Sequence, residues 1–131
     1  MRNTKAFTLI ELMVVILIVG ILAAASVPLM RGRVDSAKWS EANAIAGAVR
    51  SAVRVRFAET GSAPTGLLSV AATQTALGFS SGDLTGTYFV PGDFSIGAAD
   101  SDGNAAITVT GSQANAPTGK KVLSQDGKTW Q

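Results

Sequence analysis

The sequence predicts an α+β chain: one long N-terminal α-helix followed by a small antiparallel β-sheet head. Three observations carry that prediction. From Leu12 to Met30 there is no charge, and almost every residue is apolar. Further on, Ile45, Val49, Val53 and Phe57 recur at four-residue spacing, as one buried helix face requires. After Gly61 the composition shifts to Gly, Ser, Thr and Ala, with short alternating segments between turn residues.

The first element is the apolar helix. A helix over Phe7–Met30 is about 36 Å long, enough to cross a hydrocarbon core of ~30 Å. Val14, Val15, Ile16, Leu17, Ile18 and Val19 make it apolar on every face, so it must be covered all round, by lipid or by other helices. Gly20 permits close approach of another helix. Pro28 lacks a backbone donor, which favours a bend. The alternative is that Pro28 ends the apolar segment. Helical spacing persists beyond it, so the reading favours a bend within a continuing helix.

The second element is amphipathic. Ile45, Val49, Val53 and Phe57, with Ala42, Ala46 and Ala52 nearby, form its core-facing stripe, while Arg50, Ser51 and Arg54 fall elsewhere on the wheel. It should stop near Thr60-Gly61, with Pro64 as a second stop signal. The resulting helix totals roughly 50 residues, far above the usual globular length.

The head follows. Leu67–Leu77 reads as a short helix or an ordered loop. Thr87–Val90 reads as a strand, and Pro91-Gly92-Asp93 as a turn. Phe94–Ala98 and Ala106–Thr110 read as a hairpin around Asp102-Gly103-Asn104, with Phe94, Ile96, Ile107 and Val109 on the buried face. Lys121–Ser124 and Lys128–Trp130 flank a second turn, Gln125-Asp126-Gly127. Four strands are expected, packed against the upper helix. Tyr88, Phe89 and Phe94 are expected to be core. The organisation is therefore a short polar and basic start, a 7–30 hydrophobic helix, a 31–60 amphipathic helix and a 61–131 sheet head; the resemblance given below makes residues 1–6 a leader.

Composition narrows the function. A chain of 131 residues suits a single domain. It has no Cys and no His, which excludes a disulfide framework, a Ser/His/Asp triad, a Cys/His pair and a typical zinc site. No catalytic residue and no cofactor are indicated. Asp100-Ser101-Asp102-Gly103-Asn104 superficially resembles a calcium loop. Its glycine is fourth instead of sixth, and the twelfth position is Gly111, not Glu, so it reads as a turn and no metal is expected.

Net charge is +2, but its distribution says more. Arg31, Arg33, Lys38, Arg50, Arg54 and Arg56 face only Asp35 and Glu41 in their stretch, whereas Glu59, Asp83, Asp93, Asp100 and Asp102 are all acidic. These are either ordinary solvated faces or the two halves of a contact between copies. Nucleic acid is not indicated, because Trp39 and Phe57 form no interleaved stacking platform with the basic residues.

The N-terminus admits three readings: a plain membrane anchor, a secretory signal peptide cut after Ala23-Ala24-Ala25, and a processed assembly helix. Glu11 discriminates among them. A carboxylate at the mouth of an apolar core is costly in lipid and by default marks function. A competing account is local: Thr8-Leu9-Ile10-Glu11 fits a capping box.

Lys5-Ala6-Phe7-Thr8-Leu9-Ile10-Glu11-Leu12, followed by the long apolar run, closely resembles the N-terminal signature of type IV pilins and type II secretion pseudopilins. The resemblance is strong from Lys5 to about Pro28 and weak beyond Gly61. It implies a pilin-like fold and a non-enzymatic, structural role. A prepilin peptidase would cut between Ala6 and Phe7 and N-methylate Phe7. Glu11 would neutralise the amino group of Phe7 on a neighbouring subunit, while Gly20 and Pro28 match positions where such helices loosen or bend. The implied partners are further copies in a helical filament, the peptidase, an inner-membrane assembly machinery, and membrane lipid before assembly. The implied location is the inner membrane for the precursor and an extracellular or periplasmic filament afterwards. One departure is plain: the family's usual residue before the cut is Gly, and here it is Ala6. Within the resemblance a type IV pilin is preferred over a pseudopilin: the head is small, and although it lacks the Cys pair of many pilins, its Thr/Gly-rich strands bring no recognisable secretion-specific feature. The reading from another class is an exported binding protein lacking residues 1–25.

Cleavage after Ala6 has a physical consequence. It removes Arg2 and Lys5, two of the eleven basic side chains, leaving nine against nine acidic ones. The new terminal amine and Glu11 would be costly alone in a low-dielectric bundle and satisfied as a pair. Wrong staggers would leave a buried charge unpaired, which makes Glu11 a register device.

Overall fold

The structure, a computed structural model, describes residues 6–80 and 82–131. Lys5, and the rest of the leader before Ala6, lie outside the described residues. The chain divides into two compact units between Val34 and Asp35. Helix α1 is Leu9–Thr60, and it contains Pro28 without ending there. In the first unit every described residue is exposed. The apolar stretch finds no cover within its own unit.

The second unit holds the core. Ala42, Ala46, Val49 and Val53 of α1 are fully buried, at spacings of four, three and four. Val49 and Val53 thus sit on the expected stripe, while Ala42 and Ala46 take the place of Ile45, which with Ala52 only flanks the core; Phe57 is half-buried. Alanines at 42 and 46 hold no bulk between helix and sheet, which lets the large side chains come from the opposite layer. Those are Leu68, Phe89, Phe94, Ile107 and Val109, all fully buried. Trp39, Phe89 and Phe94 form an aromatic chain with centroids 5.3 and 6.1 Å apart, in the tilted geometry that ring quadrupoles favour.

The sheet has four antiparallel strands in the order β1-β2-β3-β4, comprising β1 Gly66–Leu67, β2 Phe94–Ala99, β3 Ala105–Thr110 and β4 Lys120–Leu123. Phe94 pairs with Val109 and Ile96 with Ile107, so the expected hairpin forms in register with those four side chains inward. A register shift between Ile96 and Ala99 marks a bulge beside Gly97. The tight turn uses Gly103 at φ +76°, a conformation only Gly adopts at no cost. A Cβ there would also sit 2.8 Å from Phe57.

Three expectations need correction. Thr87–Val90 is not a strand; the backbone donors of Thr87, Tyr88 and Phe89 turn to a side chain of α1, described below. The fourth strand is Gly66–Leu67 instead, too short to show a period. The C-terminal return makes only one isolated bridge, Leu123 to Trp130, although Val122 and Gln131 exchange two backbone bonds. Between β1 and β2, Ala71–Ala76 forms a one-and-a-half-turn helix, α2, and Pro91–Asp93 forms a 3-10 turn. The Leu67–Leu77 segment is therefore part strand and part helix. Gln74, buried in α2, donates to the Leu68 carbonyl at 2.7 Å and so satisfies itself inside the core.

Candidate functional site

The N-terminus of α1 is built by two side chains. Thr8 is the N-cap. Its hydroxyl accepts from the Glu11 backbone N–H at 3.3 Å, and the Glu11 carboxylate accepts from the Thr8 backbone N–H at 2.8 Å. The Thr8 hydroxyl also donates to the same carboxylate oxygen at 2.8 Å. This is a complete capping box, and it satisfies donors that a helix start otherwise leaves orphaned. All recorded bonds fall on Glu11 Oε2. Among the described residues, Oε1 has no partner. The local role of Glu11 therefore leaves half of its acceptor capacity available.

Around that carboxylate the surface is apolar. Phe7 is 88 % exposed and Leu9 76 % exposed, and Leu12, Met13, Ile16 and Leu17 are also open. Ala6 precedes Phe7 in an exposed, non-helical stretch, so the bond between them is accessible. Further along, a Cβ on Gly20 would meet nothing within 4 Å. Nothing inside the chain requires a glycine there. Two residues before Pro28, the Ser26 hydroxyl donates to the Leu22 carbonyl at 2.8 Å. Such back-bonding and the missing proline donor act on adjacent turns, and both loosen a helix.

The second carboxylate of interest was not legible in the sequence. Glu41, on α1 within the head unit, accepts three backbone bonds from one loop. Oε1 takes the N–H groups of Tyr88 and Phe89 at 2.9 and 3.0 Å, and Oε2 takes that of Thr87 at 3.0 Å. The residues lie 46 to 48 positions apart in sequence, so no local pattern announces the contact. Asp93 does similar work at the other end. It is buried and accepts from Val90 N–H at 2.9 Å and Ser112 N–H at 3.0 Å.

Several cations of the basic stretch are engaged inside the head. Arg50 donates to the Gln125 carbonyl from Nε at 3.1 Å and from Nη2 at 2.7 Å, and to Asn104 at 3.1 Å. Lys38 donates to the Asn115 carbonyl at 2.8 Å and lies over the Tyr88 ring. These two belong to the architecture of the head, which leaves Arg31, Arg33 and Arg54 as exposed cations on the same helix.

The Asp100 loop is a turn. Asp100 accepts from the backbone N–H groups of Asn104 and Asp102 at 2.8 and 3.0 Å. The Asn104 bond, helped by that of Asp102 and the Arg50 charge, holds its carboxyl below the ordinary aspartate value. Asp126 is lowered likewise, first by the Ser124 hydroxyl and then by the Lys128 backbone N–H. Among the described residues, no group of three His, Cys, Asp or Glu side chains is arranged to hold a metal.

Residues 1–27 match the family described as the prokaryotic N-terminal methylation motif. The type IV narrow pilus major component PilA5 of Thermus thermophilus is 44 % identical over 63 residues, covering 48 % of this chain and 54 % of that protein. The fimbrial protein EcpC of Eikenella corrodens is 46 % identical over 57 residues, covering 44 % of this chain and 37 % of its own length. The chain thus spans about half, or less, of the curated relatives it matches. It carries the prokaryotic N-terminal methylation motif and is, over nearly half its length, similar to pilus and fimbrial proteins.

Proposed function

We propose that this chain is the structural subunit of a type IV pilus-like filament. A prepilin peptidase cuts between Ala6 and Phe7 and methylates the new amine of Phe7. The subunit waits in the inner membrane with 7–30 in lipid, then polymerises through that helix with the help of an assembly machinery. The segment 31–60 and the head 61–131 form the filament's outer layer, in the periplasm or outside the cell. Glu11 accepts the Phe7 amine of a neighbouring copy and sets the stagger. Gly20 and Pro28 allow the helix to adjust as it leaves lipid.

The observation that carries this reading is the junction itself. An accessible Ala6–Phe7 bond stands before a capped helix whose only early charge is a carboxylate with an oxygen to spare. A signal peptide has no use for that carboxylate. The partnerless apolar surface supports polymerisation, since α1 is long and apolar enough to cross a membrane by length and composition. The names of the similar proteins favour a pilus over a secretion pseudopilus.

The test is intact-mass and N-terminal analysis of the protein from its native envelope. A start at methylated Phe7 is expected. A start at Ser26 would mean that an ordinary signal peptide was removed, and the filament reading would be abandoned.

A further inference from the structure

The head unit carries a recess between the part of α1 it contains and the C-terminal strands. It has a volume of about 180 Å³ and is lined by Ser36, Trp39, Ser40, Asn43, Lys121 and Trp130. All six lie in the head unit. The chain has two tryptophans, and both are here. Each is half-buried and fixed. Trp39 packs against Phe89, and Trp130 donates its indole N–H to Asn43 Oδ1 at 2.6 Å. The Lys121 ammonium stands 5.0 Å from the Trp39 ring centroid.

The polar groups are unevenly matched. Asn43 uses its oxygen on Trp130, so its amide N–H groups remain. Among the described residues, the Asn43 amide, the Lys121 ammonium and the Ser40 hydroxyl have no recorded acceptor. The recess therefore offers donors beside two indoles, and no carboxylate lines it. Indole faces attract the C–H faces of a ring, and they do so at low entropic cost because each side chain has few rotors. Donors beside them select oxygen acceptors. A positive charge selects an anion and repels a quaternary ammonium, which excludes the other usual guest of an aromatic cage. An inorganic anion would leave the indoles unused. A ring that is apolar on its faces, rich in oxygen at its edge and negatively charged satisfies all three.

We propose that this recess binds a carboxylated pyranose, a uronate unit, with its ring against the Trp130 indole and its carboxylate on Lys121, which lies over the Trp39 ring. The volume lies below the ~300 Å³ of sites that enclose drug-sized ligands, so it takes one ring and binds at millimolar Kd. The inference does not depend on filament assembly, because the head holds every residue of the site.

The full chain is titrated with glucuronate in micelles of a sugar-free, choline-free detergent, following tryptophan fluorescence. Both tryptophans line the recess, so each reporter stands at the proposed site. Saturation in the millimolar range is expected, with glucose about tenfold weaker and tetramethylammonium without effect. Lys121→Met should bring glucuronate down to the affinity of glucose and leave glucose unchanged. Trp130→Phe, which preserves an aromatic face, should bind glucuronate more weakly but still saturate. A short polyuronate distinguishes the source: tighter binding than the monomer assigns the site to a polymer chain, and equal binding assigns it to a single terminal unit, both supporting the proposal. No saturable change up to about 100 mM, well above a millimolar Kd, overturns it. So does an equal response to tetramethylammonium, or an unchanged glucuronate affinity in Lys121→Met.

Discussion

Removing the Glu41 carboxylate should unfasten the Thr87–Phe89 loop from α1, and the size of the effect follows from three hydrogen bonds. Each runs from a backbone N–H to an ionised oxygen at 2.9 to 3.0 Å. Bonds to charged groups contribute about 1.5–3 kcal/mol, and losing one partner adds the cost of an orphaned donor where water cannot replace it. The Tyr88 and Phe89 donors are partly buried and the Thr87 donor is exposed. Water rescues the last, so Glu41→Ala should cost about 3 kcal/mol, or roughly 15 °C in Tm for a unit of this size. Glu41→Gln keeps one oxygen for the Tyr88 and Phe89 pair but turns an amide toward Thr87, and should cost about half as much.

Gly86 supplies the control. A Cβ on Gly86 would overlap the Glu41 carboxylate, and its backbone is not in the left-handed region. Gly86→Ala should therefore destabilise the wild-type chain by displacing Glu41, by about 2 kcal/mol on the same hydrogen-bond count. In a Glu41→Ala background nothing remains to displace, and the same change should be nearly neutral. Thermal unfolding of the four proteins in one detergent, followed by near-ultraviolet circular dichroism, reads the cycle. If Gly86→Ala costs the same in both backgrounds, the coupling does not exist and the role given to Glu41 is wrong.

Other predictions are independent of that loop. Phe94→Ala should cost about 3–5 kcal/mol, because the ring is fully buried between two layers; denaturant unfolding with an unchanged m-value checks it. Asp100 and Asp126 both have carboxyls lowered in the folded state, so each contributes stability above its unfolded pKa of about 3.9, lost as pH falls through the lower folded value; the Asp100→Asn, Asp126→Asn double variant should unfold with a weaker pH dependence below about pH 4. Glu11→Ala should be processed normally yet yield few filaments by electron microscopy, and normal filaments from that variant would sink the register role. Arg50→Lys should lose most of what Arg50→Ala loses, about 1–2 kcal/mol, because one ammonium cannot reach both the Gln125 carbonyl and Asn104; unfolding midpoints decide this.

The parts of the fold that were legible in the sequence are those where hydrophobic period and local chemistry agree. The hairpin of β2 and β3 announces itself because Phe94, Ile96, Ile107 and Val109 alternate around an Asp-Gly-Asn turn. The helix stop does so because Gly61 follows the last periodic turn, and it adopts φ +71°. Thr87–Val90 misled for a physical reason. Thr, Tyr, Phe and Val favour pleated surfaces, but a carboxylate on α1 offered its donors a better partner than any strand did. A contact spanning more than 40 residues carries no local signature. β1 was missed because two residues cannot display a period. At the N-terminus the capping box and the register role had looked like competing explanations of Glu11. The geometry makes them compatible, since the cap uses one oxygen.

That division of labour bears on how such a helix could leave a membrane. From Phe7 to Met30, sixteen large apolar side chains are about half or more exposed. At about 1.5 kcal/mol each, removing them from water is worth on the order of 20 kcal/mol, more than the whole stability of an ordinary domain. Water is therefore never a resting place for this segment. Lipid and a bundle of identical helices, however, are equally apolar, so the hydrophobic effect does not choose between them. The choice falls to the few features that lipid cannot satisfy. On the proposed assembly, Glu11 Oε1, without a partner in hydrocarbon, would gain one beside the Phe7 amine of a neighbouring copy. Gly20 has empty space around it that another backbone could enter. Ser26 and Pro28 would soften the turns that such a transfer requires to adjust. In this segment the apolar residues make burial obligatory, and on the proposed filament reading these four residues would bias which burial wins.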